Sequence, residues 1–343
     1  MFLFNYIMMM VRPPYQRNER AGGRTLMRKV VVSTRTFGKY SQEPIEFLKN
    51  NGFEILRCDN EKDLPSALED ADALIVGTPK VTREMLERSK VKIIAKHGVG
   101  IDNIDVRAAT ELGIPVTVTI GANSESVAEL AIAFIFALAR GLVSSHIALF
   151  QRKEWSGVMG IEIKGKTLGL LGFGAIAKEV NRRALCLGMK TISYDPYVSK
   201  EAMAERGAEK VTFDELLKNS DFLSIHVPLT DETKGMIGEK ELKAMKRTAF
   251  LINTSRGGIV DESALARALR EGWIAGAALD VFEEEPPPPD SPLFVCGNLI
   301  VTPHIGAHSI EAVYRMNMMA AQAVVDFFNG KTPQYVVNKE VLR

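Results

Sequence analysis

Short runs of β-branched and apolar residues alternate with amphipathic stretches from Lys29 onward. This alternation predicts a parallel sheet covered by helices. Helices are predicted between the runs, at 44–51, 82–89 and 104–112. The predicted strands of this first series are KVVVS (29–33), FEILR (53–57), ALIVG (73–77), KIIAK (92–96) and PVTVT (115–119).

A second series follows one long apolar helix, predicted over 124–153. Its six strands, separated by helices such as 262–271, predict a doubly wound nucleotide-binding domain. The tail begins another helix at Ala307, which ends near Asn329 and is expected to pack back on the first domain. The predicted strands are TLGLLGFG (167–174), KTISYD (190–195), DFLSIHVP (221–228), TAFLINTSRG (248–257), AGAALDVF (275–282) and NLIVTPHIG (298–306).

Length and composition indicate a folded protein of about two domains. The chain has 343 residues, of which 46% are hydrophobic and 25% charged, and a domain takes roughly 150. The formal net charge of +1 argues against nucleic acid or an anionic membrane as a partner. Three scattered cysteines indicate no disulfide framework and no metal site, which favours a reducing, cytoplasmic compartment.

Two segments need separate treatment. Residues 1–27 are predicted to be a leader outside the fold, with Met27 as an alternative start and a targeting peptide as the other interpretation. The apolar stretch 127–142 is shorter than the roughly 20 residues that span a bilayer. It is therefore interpreted as a buried helix, and no membrane association is expected.

A glycine-rich turn follows the first strand of the second series. Gly172, Gly174 and Ala177 form GFGAIA, in which the glycines allow a tight turn and close approach of the backbone to a pyrophosphate at a helix N-terminus. Asp195, at the end of the next strand, can accept hydrogen bonds from the ribose hydroxyls and would repel a 2′-phosphate. The sequence thus predicts NAD rather than NADP. A P-loop pattern at 160–167 is rejected because it leads into a strand instead of a helix.

Three candidate catalytic residues follow strands of the second series, where open α/β sheets bind ligands. Arg256 offers a planar fork suited to a carboxylate and an adjacent carbonyl oxygen. His304 can exchange a proton with that oxygen as hydride moves to or from the carbon. Glu285, if paired with His304, would favour the imidazolium and fix the ring.

These residues lie in long motifs that resemble the D-isomer-specific 2-hydroxyacid dehydrogenase family, and most closely its 3-phosphoglycerate dehydrogenase branch. The resemblance implies two doubly wound parallel-sheet domains with a cleft between them. A flavodoxin-like substrate domain would comprise 28–122 plus 307–343, and an inserted Rossmann NAD domain 123–306. It also implies a homodimer joined through the NAD domains. The motifs are KHGVGIDNID (96–105), GANSESVAE (121–129), GKTLGLLGFGAIA (165–177), HVPLTDET (226–233), LINTSRGGIVDE (251–262), ALDVFEEEP (278–286) and TPHIGAHS (302–309).

Matching residue by residue, the resemblance implies catalytic roles for Arg256, Glu285 and His304. The backbone of Val99 and Gly100 would bind the substrate carboxylate together with Arg256. Glutamate at 285 disfavours formate, because the family's formate dehydrogenases carry glutamine there. The implied NAD-binding residues are Gly172, Gly174, Ala175, Ile176, Asp195, Val227, Pro228, Thr233, Thr254, Asp280, His304, Gly306 and Ala307.

One departure concerns the far end of the substrate. Phosphoglycerate dehydrogenases typically carry an arginine in the loop where this chain has Gly77, so a phosphate would need Arg35, Lys80 or Lys96 instead. The chain also ends without a serine-binding regulatory domain, and feedback by that route is not expected. The leading expectation is 3-phosphoglycerate oxidation, a step of serine biosynthesis. Glyoxylate or hydroxypyruvate reduction is the alternative, and an NAD-sensing corepressor is the alternative of another class.

Overall fold

The structure is a computed structural model that describes residues 27–342 and the backbone of residues 20–21 and 24–25. Strand β1 (Arg20–Ala21) pairs antiparallel with β2 (Arg24–Thr25). Apart from these residues and Met27, the predicted leader, residues 1–27, lies outside the described part of the chain.

The first sheet has five parallel strands in the order β4-β3-β5-β6-β7, the flavodoxin-like order predicted for it. Its central strands are apolar at nearly every position because helices cover both faces. Its strands are β3 (Arg28–Ser33), β4 (Phe53–Arg57), β5 (Ala73–Val76), β6 (Ile93–Lys96) and β7 (Val116–Thr117). The helices between them are α1 (Glu43–Asn50), α2 (Leu64–Leu68), α3 (Arg83–Glu87) and α4 (Val106–Glu111), with a 3-10 turn at Glu61–Asp63.

The last long helix, α12 (Ile310–Phe328), packs on this first sheet. The Ser309 hydroxyl caps it by accepting a hydrogen bond from the Ala312 N–H at 3.1 Å. Buried Ala321 and Val324 on α12 lie in one apolar cluster with Val30 on β3. The chain therefore returns to the first sheet after the second is complete, and a final 3-10 turn covers Lys339–Leu342.

The second sheet has seven parallel strands in the order β10-β9-β8-β11-β12-β13-β14. This is the Rossmann order with one more strand at the β14 edge. The sequence predicted six, and the strand it missed is the two-residue edge strand Glu209–Lys210. The strands are β8 (Thr167–Leu171), β9 (Lys190–Tyr194), β10 (Glu209–Lys210), β11 (Phe222–Ile225), β12 (Phe250–Asn253), β13 (Gly276–Leu279) and β14 (Leu299–Val301).

Helices cover both faces of the second sheet, and two doubly wound parallel sheets are thus confirmed. The P-loop-like segment 160–167 leads into β8, so its rejection is also confirmed. The helices are α5 (Ser124–Ala139), α6 (Leu142–Phe150), α7 (Ala175–Cys186), α8 (Lys200–Ala204), α9 (Phe213–Asn219), α10 (Glu239–Ala244) and α11 (Glu262–Glu271), with a 3-10 turn at Pro292–Val295.

The prediction of a single helix over 124–153 was wrong, because the structure has two helices there. The chain breaks at Gly141, which has the left-handed φ of +56°, and α5 and α6 meet there at 63°. A Cβ atom at this position would lie 2.6 Å from Cβ of Val158, so the bend needs glycine for space as well as for conformation. Within residues 27–342 no unbroken helix has the length and apolar character to cross a membrane, and α5 with α6 meets those criteria only as a bent pair.

Candidate active site

A histidine and a glutamate form a close pair after β14 and β13. Nδ1 of His304 lies 2.7 Å from Oε2 of Glu285, and Oε1 of Glu285 accepts a hydrogen bond from the Phe282 N–H at 3.1 Å. Burial acts to raise the pKa of Glu285, but the hydrogen bond and charge of His304 outweigh it and bring the pKa below its ordinary value. The ionised carboxylate can only accept, so Nδ1 carries the hydrogen and Nε2 is left for another partner.

Asp280 builds the loop that carries His304. Its buried carboxylate accepts hydrogen bonds from the Thr302 hydroxyl at 2.6 Å and from the Ile305 and Gly306 N–H groups at 2.7 Å each. The backbone of His304 has a φ of +53°, a conformation that residues other than glycine rarely adopt. Three bonds to one carboxylate hold this backbone, so Asp280 fixes the direction in which the imidazole projects.

Arg256, after β12, reaches the loop that follows β6 in the first sheet. Its Nε donates a hydrogen bond to Oδ1 of Asp102 at 2.9 Å, and its Nη1 donates to the Ser255 carbonyl at 2.8 Å. A Cβ atom on Gly100 would lie only 1.3 Å from Nη2, so the guanidinium occupies the space beside that glycine. The carboxyl-end loops of the two sheets thus meet at Arg256. Its charge also helps to lower the pKa of Glu285.

The predicted carboxylate-binding backbone lies in this same loop. Val99 is 41% exposed. Among the described residues, neither the Val99 nor the Gly100 N–H donates a hydrogen bond, whereas the preceding Gly98 N–H donates to the Thr119 hydroxyl at 3.1 Å. These two N–H groups without an acceptor lie in the loop that the Arg256 guanidinium reaches, and backbone donors together with a guanidinium suit an anion.

Lys96 lies beneath the same loop, and the sequence treated it only as a substitute partner for a phosphate. Its ammonium donates to the Gly77 carbonyl at 2.5 Å and to Oδ1 of Asn103 at 2.6 Å. Burial and the nearby Arg256 charge lower its pKa to about 8, although Asp102 acts in the opposite direction. This buried cation adds positive charge to the end of the site that holds the ion pair of Arg256 with Asp102.

The predicted glycine-rich turn lies between β8 and α7. Gly172 has a φ of +90°, and a Cβ there would come within 2.9 Å of the His226 carbonyl oxygen. Gly174 precedes α7, whose first residues, Ala175 and Ile176, receive no side-chain cap. Oδ2 of Asp195 accepts from the Phe173 N–H at 2.9 Å, so Asp195 lies against this turn. The structure thus brings all five predicted residues together.

The remaining predicted residues occupy neighbouring strand ends. The carbonyl of Val227 accepts a hydrogen bond from the Ser255 hydroxyl, which places Val227 next to Thr254. Thr233 closes the turn after β11 by donating to the Pro228 carbonyl at 2.6 Å. The Gly306 N–H donates a hydrogen bond to Asp280, and the Gly306 carbonyl accepts one from the Ser126 hydroxyl. Ala307 is the next residue along the chain.

Comparisons with known proteins show to which family the chain belongs. The family model "D-isomer specific 2-hydroxyacid dehydrogenase, NAD binding domain" matches residues 132–306. A glyoxylate reductase of Thermococcus litoralis is 48% identical over 286 residues, which are 80% of this chain and 86% of that protein. The chain belongs to the D-isomer specific 2-hydroxyacid dehydrogenase family. It is accordingly an NAD-dependent oxidoreductase that acts on CH–OH groups.

Two further relatives show the range of this dehydrogenase family. A D-3-phosphoglycerate dehydrogenase of Methanocaldococcus jannaschii is 43% identical over 304 residues, 87% of this chain and 57% of that protein. The solved structure of a D-lactate dehydrogenase from Aquifex aeolicus, complexed with NAD and lactic acid, has a TM-score of 0.80 and 31% identity, and the match covers 90% of this chain and 99% of that one.

Two observations show that this dehydrogenase fits its NAD cofactor. A Cβ at Gly174 would meet nothing within 4 Å, so open space lies in front of the uncapped start of α7, where a pyrophosphate can bind. The hydroxyl of Thr254 is buried without a hydrogen-bond partner among the described residues, although a buried hydroxyl normally has one. A cofactor along these strand ends would supply the missing partner.

Sequence reasoning included the pairing of Glu285 with His304 but missed other contacts that orient the predicted residues. Asp102 stands 154 positions before its partner Arg256, and no local pattern links them. Asp280 was predicted only to line the cofactor, and the bonds of its carboxylate to the loop of His304 were not predicted. Lys96 carried one usable signal, because a lysine at the end of an apolar strand is rare without a polar partner.

Proposed function

We propose that this dehydrogenase reduces a small 2-keto acid, with Arg256, His304 and Glu285 as its catalytic residues. NADH, when bound, supplies the hydride. The observation that carries the proposal is the position of the Arg256 guanidinium, which fills the space beside Gly100 and whose charge helps to lower the pKa of Glu285. A carboxylate bound beside Gly100 would therefore place its adjacent keto carbon toward Glu285 and His304.

In this proposal each residue acts on a stated atom. The Arg256 fork and the two N–H groups bind the carboxylate, and Arg256 also polarises the neighbouring keto oxygen. Nε2 of His304 gives that oxygen its proton, since Nδ1 is held by Glu285. Glu285 stabilises the protonated ring before transfer and keeps it oriented afterwards. Asp280 acts on the reaction only by fixing the loop of His304.

For the substrate we favour an unphosphorylated keto acid such as glyoxylate or hydroxypyruvate. Gly77 replaces the arginine expected to face a phosphate, and a Cβ there would already lie 3.1 Å from Cβ of Thr34. Two hydrogen bonds of the Lys96 ammonium go to protein acceptors, and Arg35 and Lys80 are exposed. Several similar relatives, from Thermococcus litoralis, Korarchaeum cryptofilum and Aeropyrum pernix, are named glyoxylate reductases.

The second candidate is 3-phosphohydroxypyruvate, the keto partner of 3-phosphoglycerate. It is favoured by the buried Lys96 cation, whose third N–H is free to approach a phosphate, and by the relative from Methanocaldococcus jannaschii. Values of kcat/KM measured side by side for glyoxylate, hydroxypyruvate, 3-phosphohydroxypyruvate and pyruvate decide between them. Preference for glyoxylate or hydroxypyruvate supports the first proposal, and a tenfold preference for the phosphorylated acid would overturn it.

We also propose a homodimer joined through the NAD domains. Large apolar side chains are exposed on and after α5 and α6, and a patch of this kind marks an interaction surface. Light scattering at micromolar concentration tests this, and a monomeric mass would reject it. The exposed residues are Phe136, Leu142, Leu149, Phe150, Trp155, Val158 and Met159.

The domain boundaries and the compartment complete the proposal. We assign 28–122 plus 307–343 to a substrate domain and 123–306 to the NAD domain, supported by the packing of α12 on the first sheet. The three cysteines are free, as suits a reducing cytoplasm. Expression of 123–306 alone tests the boundaries, because an independent domain should fold and bind NADH.

A further inference from the structure

Two glutamates hold each other's backbone beside the candidate active site. The carboxylate of Glu262, at the start of α11, accepts a hydrogen bond from the Glu283 N–H at 2.6 Å. The carboxylate of Glu283 in turn accepts from the Glu262 N–H at 3.1 Å. This reciprocal clamp ties the segment after β13 to the N-terminus of α11, where a negative charge is favourable.

The clamped segment connects two parts of the candidate active site, the loop of Arg256 on one side and Glu285 with His304 on the other. A Cβ on Gly257, the residue after Arg256, would lie 1.8 Å from the Phe282 carbonyl oxygen and 2.5 Å from the Glu283 nitrogen. Two residues after Glu283, the Glu285 carboxylate holds His304. Any shift of the backbone at 282–283 therefore changes the separation of the arginine loop from the glutamate and histidine.

We infer that Glu262 is a positioning residue, whose carboxylate holds the 282–285 segment so that Glu285 and His304 stand in register with Arg256. This inference rests on the catalytic roles proposed above. Glu262 itself touches none of the three side chains. It acts through one backbone N–H, that of Glu283.

Electrostatics agree with this geometry. Burial raises the pKa of Glu262, the charges of Glu283 and Glu285 raise it further, and the hydrogen bond from the Glu283 N–H opposes them. Three carboxylates so close together repel one another, so their proximity at this position carries a cost in stability. If Glu262 served only to start α11, a carboxylate close to two others would not be needed there. Asp261 already caps that helix by accepting a hydrogen bond from the Ala264 N–H at 2.8 Å.

The test compares variants that separate the clamp from helix stability and from charge. Glu262→Ala removes the acceptor for the Glu283 N–H, whereas Glu262→Gln keeps an oxygen there without the charge. Asp261→Ala is the control for helix stability, and Glu284→Ala is the control for charge, since among the described residues the Glu284 side chain makes no hydrogen bond. Each variant is assayed for kcat, for KM of NADH and of the best keto acid, and for melting temperature.

Glu262→Ala should lower kcat about tenfold with KM for NADH unchanged, since small misplacements of catalytic groups cost rates of this order. Glu262→Gln should stay within about twofold of the wild type, and Asp261→Ala should lower the melting temperature without lowering kcat. A wild-type kcat in Glu262→Ala, or an equal loss in Glu262→Gln, would overturn the inference.

The His304→Ala background separates this inference from the proposed function. If Glu262 acts through His304, adding Glu262→Ala to His304→Ala should cause no further loss, because residues acting as one unit are not additive. A further tenfold loss in that background would refute the inference alone. A His304→Ala enzyme with wild-type turnover would refute the proposed function, whatever Glu262 does.

Discussion

Replacing Glu285 by glutamine removes a charge from the candidate proton-transfer pair with little change in volume. Nδ1 of His304 lies 2.7 Å from the carboxylate, and a hydrogen bond to a charged group contributes about 1.5–3 kcal/mol. The two side chains are 40% and 36% exposed, so solvent screening places the value near the lower end of that range. About 1.5 kcal/mol corresponds to roughly a tenfold loss in kcat/KM.

The pKa of Glu285 determines how this loss depends on pH. Because that pKa is lowered, the carboxylate keeps its charge across the neutral range and is neutralised only in acid, below its ordinary value. The ratio of wild-type to Glu285→Gln activity should therefore approach one only in acid, as the pH falls through the lowered pKa of Glu285. NADH oxidation with the best keto acid measures it, with Glu284→Gln as the control. A Glu285→Gln enzyme within twofold of the wild type at neutral pH would refute the reasoning.

Three further outcomes are expected. Gly100→Ala should raise KM for the keto acid about tenfold, since its Cβ displaces the Arg256 guanidinium, and a lower melting temperature without that change in KM would argue against the assigned anion site. Thr254→Val should weaken NADH binding about fivefold without lowering the melting temperature of the cofactor-free protein, because the lost hydroxyl has no partner among the described residues. An unchanged affinity for NADH, measured by calorimetry, would contradict this. KM for the keto acid should rise as the pH passes about 8 and the Lys96 ammonium loses its proton, and a rise that persists in Lys96→Met would exclude Lys96 as its source.

The elements predicted best are those whose ends are marked locally. The sequence predicts a helix over 262–271, and α11 covers Glu262–Glu271. Asp261 caps its first turn and Gly272 ends it in the left-handed conformation with φ +68°. The break at Gly141 also has a left-handed glycine, but no side chain caps the start of α6, and the Val158 side chain that excludes a Cβ at Gly141 is supplied by the later loop. Strand β10 has only two residues, too few for any apolar pattern.

The same distinction holds at the candidate site. The glycine-rich turn and the strand-end residues Arg256, Glu285 and His304 could be predicted because each follows an apolar run of recognisable type. The pairing of Glu285 with His304 was considered as well, and Gly100 was expected to bind the substrate carboxylate together with Arg256. The ion pair of Arg256 with Asp102 could not be predicted, since Asp102 reaches Arg256 from a loop of a different sheet. The register that brings two distant loops together depends on packing of the whole molecule, which short-range patterns do not encode.

Gly100 has two roles that cannot be separated by substitution. Its missing side chain leaves room for the Arg256 guanidinium, and its N–H has no acceptor among the described residues. The proposed anion site is thus composite, with backbone donors in the loop after β6 and the guanidinium after β12. The ion pair of Asp102 with Arg256 holds the two loops together and partly offsets the positive charge of Arg256 and Lys96. A chain with a net charge of only +1 therefore still places two cations, Arg256 and Lys96, where the loops of the two sheets meet.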